Sequence, residues 1–177
     1  MKIISQIILI CYKIFRRILM IFFKKMFKSS GKNIIFNPFD SFSYNNIELG
    51  SDIFIGPGAN FSSIKKIKIG NKVLFGPNVT ILGGDHNTSQ KGKYMFDTKD
   101  KLPENDLDII IKDDVWIGAN VTILKGVTIE SGSIIAAGAL VNKDVGQNTI
   151  FGGVPAKRLK FRFSDIDLED HLKKINK

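Results

Sequence analysis

Residues 111–145 read IKDDVWIGANVTILKGVTIESGSIIAAGALVNKDV, and this stretch decides the fold. Every sixth residue is aliphatic and β-branched: Ile111, Ile117, Ile123, Ile129, Ile135 and Val141. Two-thirds of a period later stand Val115, Val121, Val127, Ser133, Ala139 and Val145, all small or medium. An α-helix has no six-residue repeat, and strand alternation would fix every second residue. A solenoid does repeat in this way, with each short strand forming one side of a coil and its Ile pointing into a shared stack.

The same register runs upstream. Leu49, Ile55 and Phe61 form one run, two extra residues intervene near Lys65–Lys68, and the run resumes at Ile69, Phe75 and Ile81. Gly50, Gly56, Gly70, Gly76 and Gly118 follow the inward residues, where a corner needs positive φ or close backbone approach. Three sides close a coil, so residues 31–84 and 109–146 supply about five coils, above the roughly three that a repeat array needs. Between them, residues 85–108 (DHNTSQKGKYMFDTKDKLPENDLD) carry no period and are strongly polar. A loop this long inside an ordered array is a functional candidate. It begins beside His86, one of two histidines in the chain.

Composition narrows the function classes. The 177 residues fit one domain. The single cysteine, Cys11, excludes an intramolecular disulfide and a cysteine-rich metal site. The net charge of +9 is concentrated: Lys2, Lys13, Arg16, Arg17, Lys24, Lys25 and Lys28 lie in residues 1–28, which hold no acid. The remainder is nearly neutral and carries no nucleic-acid-binding signature, so no nucleic-acid partner is expected.

The apolar stretch 3–12 is too short to span a bilayer and lacks the cleavage site of a secretory signal. On a helix, Lys13, Arg17, Lys24 and Lys28 fall along one stripe, with Ile14, Phe15, Ile18, Ile21 and Phe22 on the broad remainder. Two roles are open for residues 1–28. The helix lies on an anionic membrane surface, or it caps an open end of the solenoid.

The motifs VWIGANVTILKGVTIESGSIIAAGALVNKDV (115–145) and GGVPAKRLKFRF (152–163) resemble the hexapeptide-repeat acyltransferases, over about residues 31–163. The Lys160–Phe163 segment and the tail are most similar to the xenobiotic and polysaccharide O-acetyltransferase branch. The expected fold is an all-β solenoid, a left-handed parallel β-helix with an N-terminal amphipathic helix and a short C-terminal helix. Its hand comes from the resemblance alone, because the usual crossover preference is right-handed. The expected organisation is a basic helical segment at 1–30, a β-helix domain at 31–163 with the protruding loop 85–108, and a helical tail at 164–177. The resemblance also implies a homotrimer, active sites between subunits, and acetyl-CoA as donor.

Transfer of an acetyl group to a hydroxyl needs a base, and imidazole titrates near neutral pH. His86 is the candidate, with Asp85, Asp97, Glu104 or a backbone carbonyl available to orient it. The resemblance places the coenzyme between Trp116 and Lys157, with Ala119 and Ala137 facing pantetheine. It puts Asn142 and Lys143 near the adenosine end, and Lys157, Arg158 and Lys160 at the phosphates. Trp116 either lines the acyl pocket or braces the loop. No metal is expected, because zinc relatives of the same coil shape need three histidines. The expected enzyme is a cytoplasmic O-acetyltransferase of a sugar hydroxyl, on a lipid-linked or cell-surface glycan. Antibiotic O-acetylation, amino-sugar N-acetylation and a membrane-held scaffold are the alternatives.

Overall fold

The structure, a computed structural model, describes residues 2–175. Helix α1 spans Lys2–Lys24, a run without glycine or proline. Its end tightens through the bonds Lys25 N–H to Phe22 O and Met26 N–H to Phe23 O. Lys28, which the stripe included, lies beyond the helix and pairs with Glu48 at 2.9 Å. That ammonium group holds the Glu48 carboxyl below its usual range.

A three-faced parallel solenoid follows. One face stacks Ser29–Ser30, Ile47–Leu49, Ile67–Ile69, Ile109–Ile111 and Thr128–Ile129. The second stacks Ile34–Ile35, Ile53–Ile55, Leu74–Phe75, Trp116–Ile117, Ile134–Ile135 and Thr149–Gly152, closed by antiparallel Lys157–Phe161. The third stacks Ser41–Phe42, Asn60–Ser62, Thr80–Leu82, Thr122–Leu124 and Leu140–Val141. The result is five complete coils and the start of a sixth. The first coil opens at Ser29 and is irregular, with a 3₁₀ turn at Tyr44–Asn46.

Registers confirm the columns. Leu49 pairs with Ile69, Ile69 with Ile111, and Ile111 with Ile129. The first step is 20 residues, the third is 18, and the middle step is 42, so 24 residues are inserted there, the length of loop 85–108. Ile117, Ile123, Ile129 and Ile135 are each fully buried. Ser133 shares that interior because its hydroxyl donates to Gly146 O at 2.7 Å.

The corners divide their work between residue types. Left-handed backbone falls on Asn33, Asp52, Lys72, Asp114 and Asn148 at one corner and on Asn78 and Asn120 at the next. The glycines singled out in the sequence serve close approach instead. A Cβ on Gly76 would lie 2.6 Å from Ala119 N, and one on Gly118 would lie 2.6 Å from Ala137 N.

Both ends of the solenoid are closed. At the first coil Phe27 is buried against Phe36, Phe42 and Tyr44, with ring centroids 4.8–5.7 Å apart. Met20 and Phe23 of α1 pack on this cluster. At the other end Lys157–Phe161 folds back, and helix α2 (Asp165–Ile175) follows a Ser164 cap bonded to Asp167 N–H at 3.2 Å. His171 on α2 is half-buried against the Phe163 ring.

Candidate active site

The long loop leaves the third face after Thr80–Leu82 and returns to the first face at Ile109. Its neck is a short antiparallel pairing of Gly84 with Asp106. Asp85 N–H donates to Asn105 O at 2.8 Å, and Leu107 N–H to Gly83 O at 3.2 Å. Inside the neck Asn105 is buried and acts as a staple. Its Nδ2 donates to Asp85 Oδ1 at 2.8 Å and to His86 O at 3.2 Å, while its Oδ1 accepts from Leu102 N–H at 2.7 Å.

His86 is thereby fixed through its backbone, with an exposed imidazole. It borders a cavity of about 210 Å³ shared with Ser62, Ile64, Leu82, Lys101 and Asp106. Polar groups and two apolar side chains meet in this space. Asp85 makes no hydrogen bond to the ring, and both its oxygens are engaged elsewhere. Oδ1 takes the Asn105 amide, and Oδ2 takes Lys125 Nζ at 2.7 Å. The Lys125 ammonium group first, then the Asn105 amide, hold the Asp85 carboxyl below its usual range. Lys101 clamps the largely buried Asp106 carboxylate with bonds of 2.7 and 2.9 Å. The sequence pointed to His86 but not to Asn105, Lys125 or Lys101. Asn105 lies 19 residues from His86, and only the closed neck brings the two together.

The other expected residues fall into three places. Ala119 and Ala137 stack at the corner between the second and third faces, where Gly138 N–H donates to Ala119 O at 2.8 Å. That column continues to Gly153, whose carbonyl accepts from Leu140 N–H at 3.0 Å. Lys157, paired with Gly152, starts the exposed strand that also carries Arg158 and Lys160. Small residues and cations thus lie along one edge. Asn142 and Lys143 are exposed at the corner between the third and first faces, the corner from which the His86 loop springs. Trp116 stands on the outer side of the second face, half exposed, in register with Leu74 and Ile134. Within one chain the Ala119–Ala137 edge and His86 are therefore separated by the width of the third face.

Among the described residues no group of three His, Cys, Asp or Glu side chains could hold a metal ion.

The parallel three-faced solenoid is the fold of solved acetyltransferases. The family model for the bacterial transferase hexapeptide (six repeats) matches residues 108–143. A galactoside O-acetyltransferase of Lactococcus lactis is 35% identical over 156 residues, covering 86% of this chain and 72% of that protein. A galactoside O-acetyltransferase of Escherichia coli is 34% identical over 141 residues, covering 77% of this chain and 65% of that protein. The crystal structure of a hexapeptide-repeat acetyltransferase from Vibrio cholerae, complexed with acetyl coenzyme A, matches with a TM-score of 0.71 at 30% identity. It covers 80% of this chain and 75% of that one. The chain belongs to the hexapeptide-repeat transferase family, and it is an enzyme of the acetyltransferase class. The solenoid is the left-handed β-helix of that family.

Proposed function

We propose that this enzyme moves the acetyl group of acetyl-CoA onto a sugar hydroxyl of a lipid-linked or cell-surface glycan, with His86 as general base. The observation that carries this reading is the exposed His86 imidazole on a polar cavity, in a fold whose Vibrio relative binds acetyl coenzyme A. The imidazole takes the hydroxyl proton as the sugar oxygen attacks the thioester carbonyl. A tetrahedral oxyanion forms and collapses, the C–S bond breaks, and the imidazolium returns the proton to the coenzyme A thiolate. A positioned base contributes roughly 10²–10⁴ in rate.

The donor lies along the edge of Ala119 and Ala137, where small side chains admit the pantetheine arm, and Lys157, Arg158 and Lys160 meet its phosphates. Trp116 borders the acyl end, while Asn142 and Lys143, on the histidine corner, come to the adenosine end only from a neighbouring chain. Because this edge and His86 sit on opposite sides of the third face, the donor on one chain serves the histidine of a neighbour. A homotrimer meets that need. The outer side of the second face supports it: Ile35, Phe54, Leu74 and Trp116 stand in register, 43–53% exposed, and form an apolar stripe that the described residues leave half open.

The enzyme works in the cytoplasm, with peripheral contact at the inner face of the membrane through residues 1–28. The experiment is product analysis. Acetyl-CoA and a sugar acceptor yield a product that mild base deacetylates, as expected of an ester. A base-stable amide, or acceptor-independent thiol release alone, refutes O-acetylation.

A further inference from the structure

Helix α1 is part cap and part free. Near its C-terminal end Leu19, Met20 and Phe23 are half-buried, and Met20 and Phe23 pack on the first coil. Interleaved with them, Ile18, Ile21 and Phe22 remain 47%, 60% and 62% exposed. The docked turn thus shows which side of the helix faces the solenoid. Carried back at about 100° per residue, Ile3, Ile7, Ile10 and Ile14 share the opposite side with Ile18 and Ile21. Ile8 and Phe15 widen that side to an apolar arc of about 160°. Every side chain described from Lys2 to Phe15 is exposed. Capping accounts for Met20 and Phe23 but leaves this arc unexplained.

Charge identifies what covers it. Residues 1–28 hold seven Lys and Arg and no acid, and Lys13, Arg17 and Lys24 line one border of the arc. We infer that α1 is an interfacial anchor for anionic lipid, lying in the plane of the headgroups with its Ile/Phe arc in the acyl boundary. The cations along its border reach back to the phosphates. This extends the membrane contact of the proposed function. No described helix is long and apolar enough to cross a bilayer.

A second copy of the helix fits less well. Ile3, Ile7, Ile10, Ile14, Arg17 and Ile21 follow heptad spacing, so a self-paired bundle buries Arg17 in its seam. It also leaves Ile8, Phe15 and Phe22 outside and sets like charges side by side. A lipid interface covers the whole arc and attracts every charge.

The test uses the full chain and flotation with phosphatidylcholine vesicles, with and without phosphatidylglycerol. The expected result is binding that depends on phosphatidylglycerol. Each basic residue near an anionic surface contributes about fivefold, so Lys13→Gln with Arg17→Gln weakens binding roughly 30-fold. Ile7→Asp with Ile14→Asp abolishes it. All four positions are exposed or border the free arc, so unchanged thermal melting checks that the fold is kept. Equal binding to both vesicle types, or no effect of either variant, overturns the inference. So does a chain that ignores vesicles but loses oligomeric mass in lipid-free solution on Ile7→Asp with Ile14→Asp, which identifies a helix bundle. Acetyl-CoA binding on the same samples separates the two readings, because a vesicle-bound chain that binds no acetyl-CoA overturns the transferase function alone.

Discussion

Tyr44 shows how one residue records the closing of the first coil. Its ring lies 4.8 Å from Phe27 and 5.4 Å from Phe42, and its hydroxyl is buried without a hydrogen-bond partner. Burial first, and Asp40 second, push its pKa up to about 12. A raised pKa means that the folded state keeps the phenolic proton longer than the unfolded state does. The linked stability is fully present below about pH 10 and is lost as pH rises from there toward 12. Tyr44→Phe removes both the unpaired hydroxyl and this titration. In denaturant titrations at pH 7 its stability is expected to equal wild type or exceed it by about 1 kcal/mol, and its decline above pH 10 to be shallower. A clear loss at pH 7 contradicts an unpartnered hydroxyl. None of this was readable from the sequence, because Tyr44 falls in the irregular first coil. The Ile positions were readable, because a six-residue period needs no distant contact to be seen.

Among the elements, the proposed function assigns the chemistry to loop 85–108 and the attachment to α1. The loop's limits were legible because the repeat stops at one end and resumes at the other. The sequence also put His86 at the loop's start. The neck was invisible, since Asn105 must cross 19–20 residues to reach Asp85 and His86. Asn105→Ala removes three side-chain hydrogen bonds at that neck, and small displacements of a catalytic group cost up to about 100-fold in rate. The variant is therefore expected to lose 10- to 100-fold in kcat, to be cut faster by protease within 85–108, and to keep its acetyl-CoA affinity. Wild-type kcat would show that the staple does not position His86. For α1 the pattern allowed cap or membrane helix, and the structure divides the element between a docked end and a free arc. A sequence cannot show that division, because it depends on where the helix axis meets the first coil.

At the scale of the molecule, the solenoid separates its functional groups by face. Donor-edge residues occupy one corner, the histidine loop another, and the apolar stripe the second face. The fold class was legible as a whole, because columns of inward apolar residues, mostly Ile, repeat in register from coil to coil. The gathering of the site was not, because Trp116 and the Ala119–Ala137 edge lie across the third face from His86, and in the trimeric reading they meet it only across chains. In the trimeric reading, donor binding and proton abstraction are separable by substitution. His86→Ala touches the base and leaves the Ala119–Ala137 edge and its cations in place. The most direct measurement is steady-state turnover of acetyl-CoA with a sugar acceptor, wild type against His86→Ala, with donor affinity measured by calorimetry on both. The account predicts one donor site per chain, unchanged affinity, and a fall in kcat of roughly 10²–10⁴. Turnover that survives the substitution contradicts it.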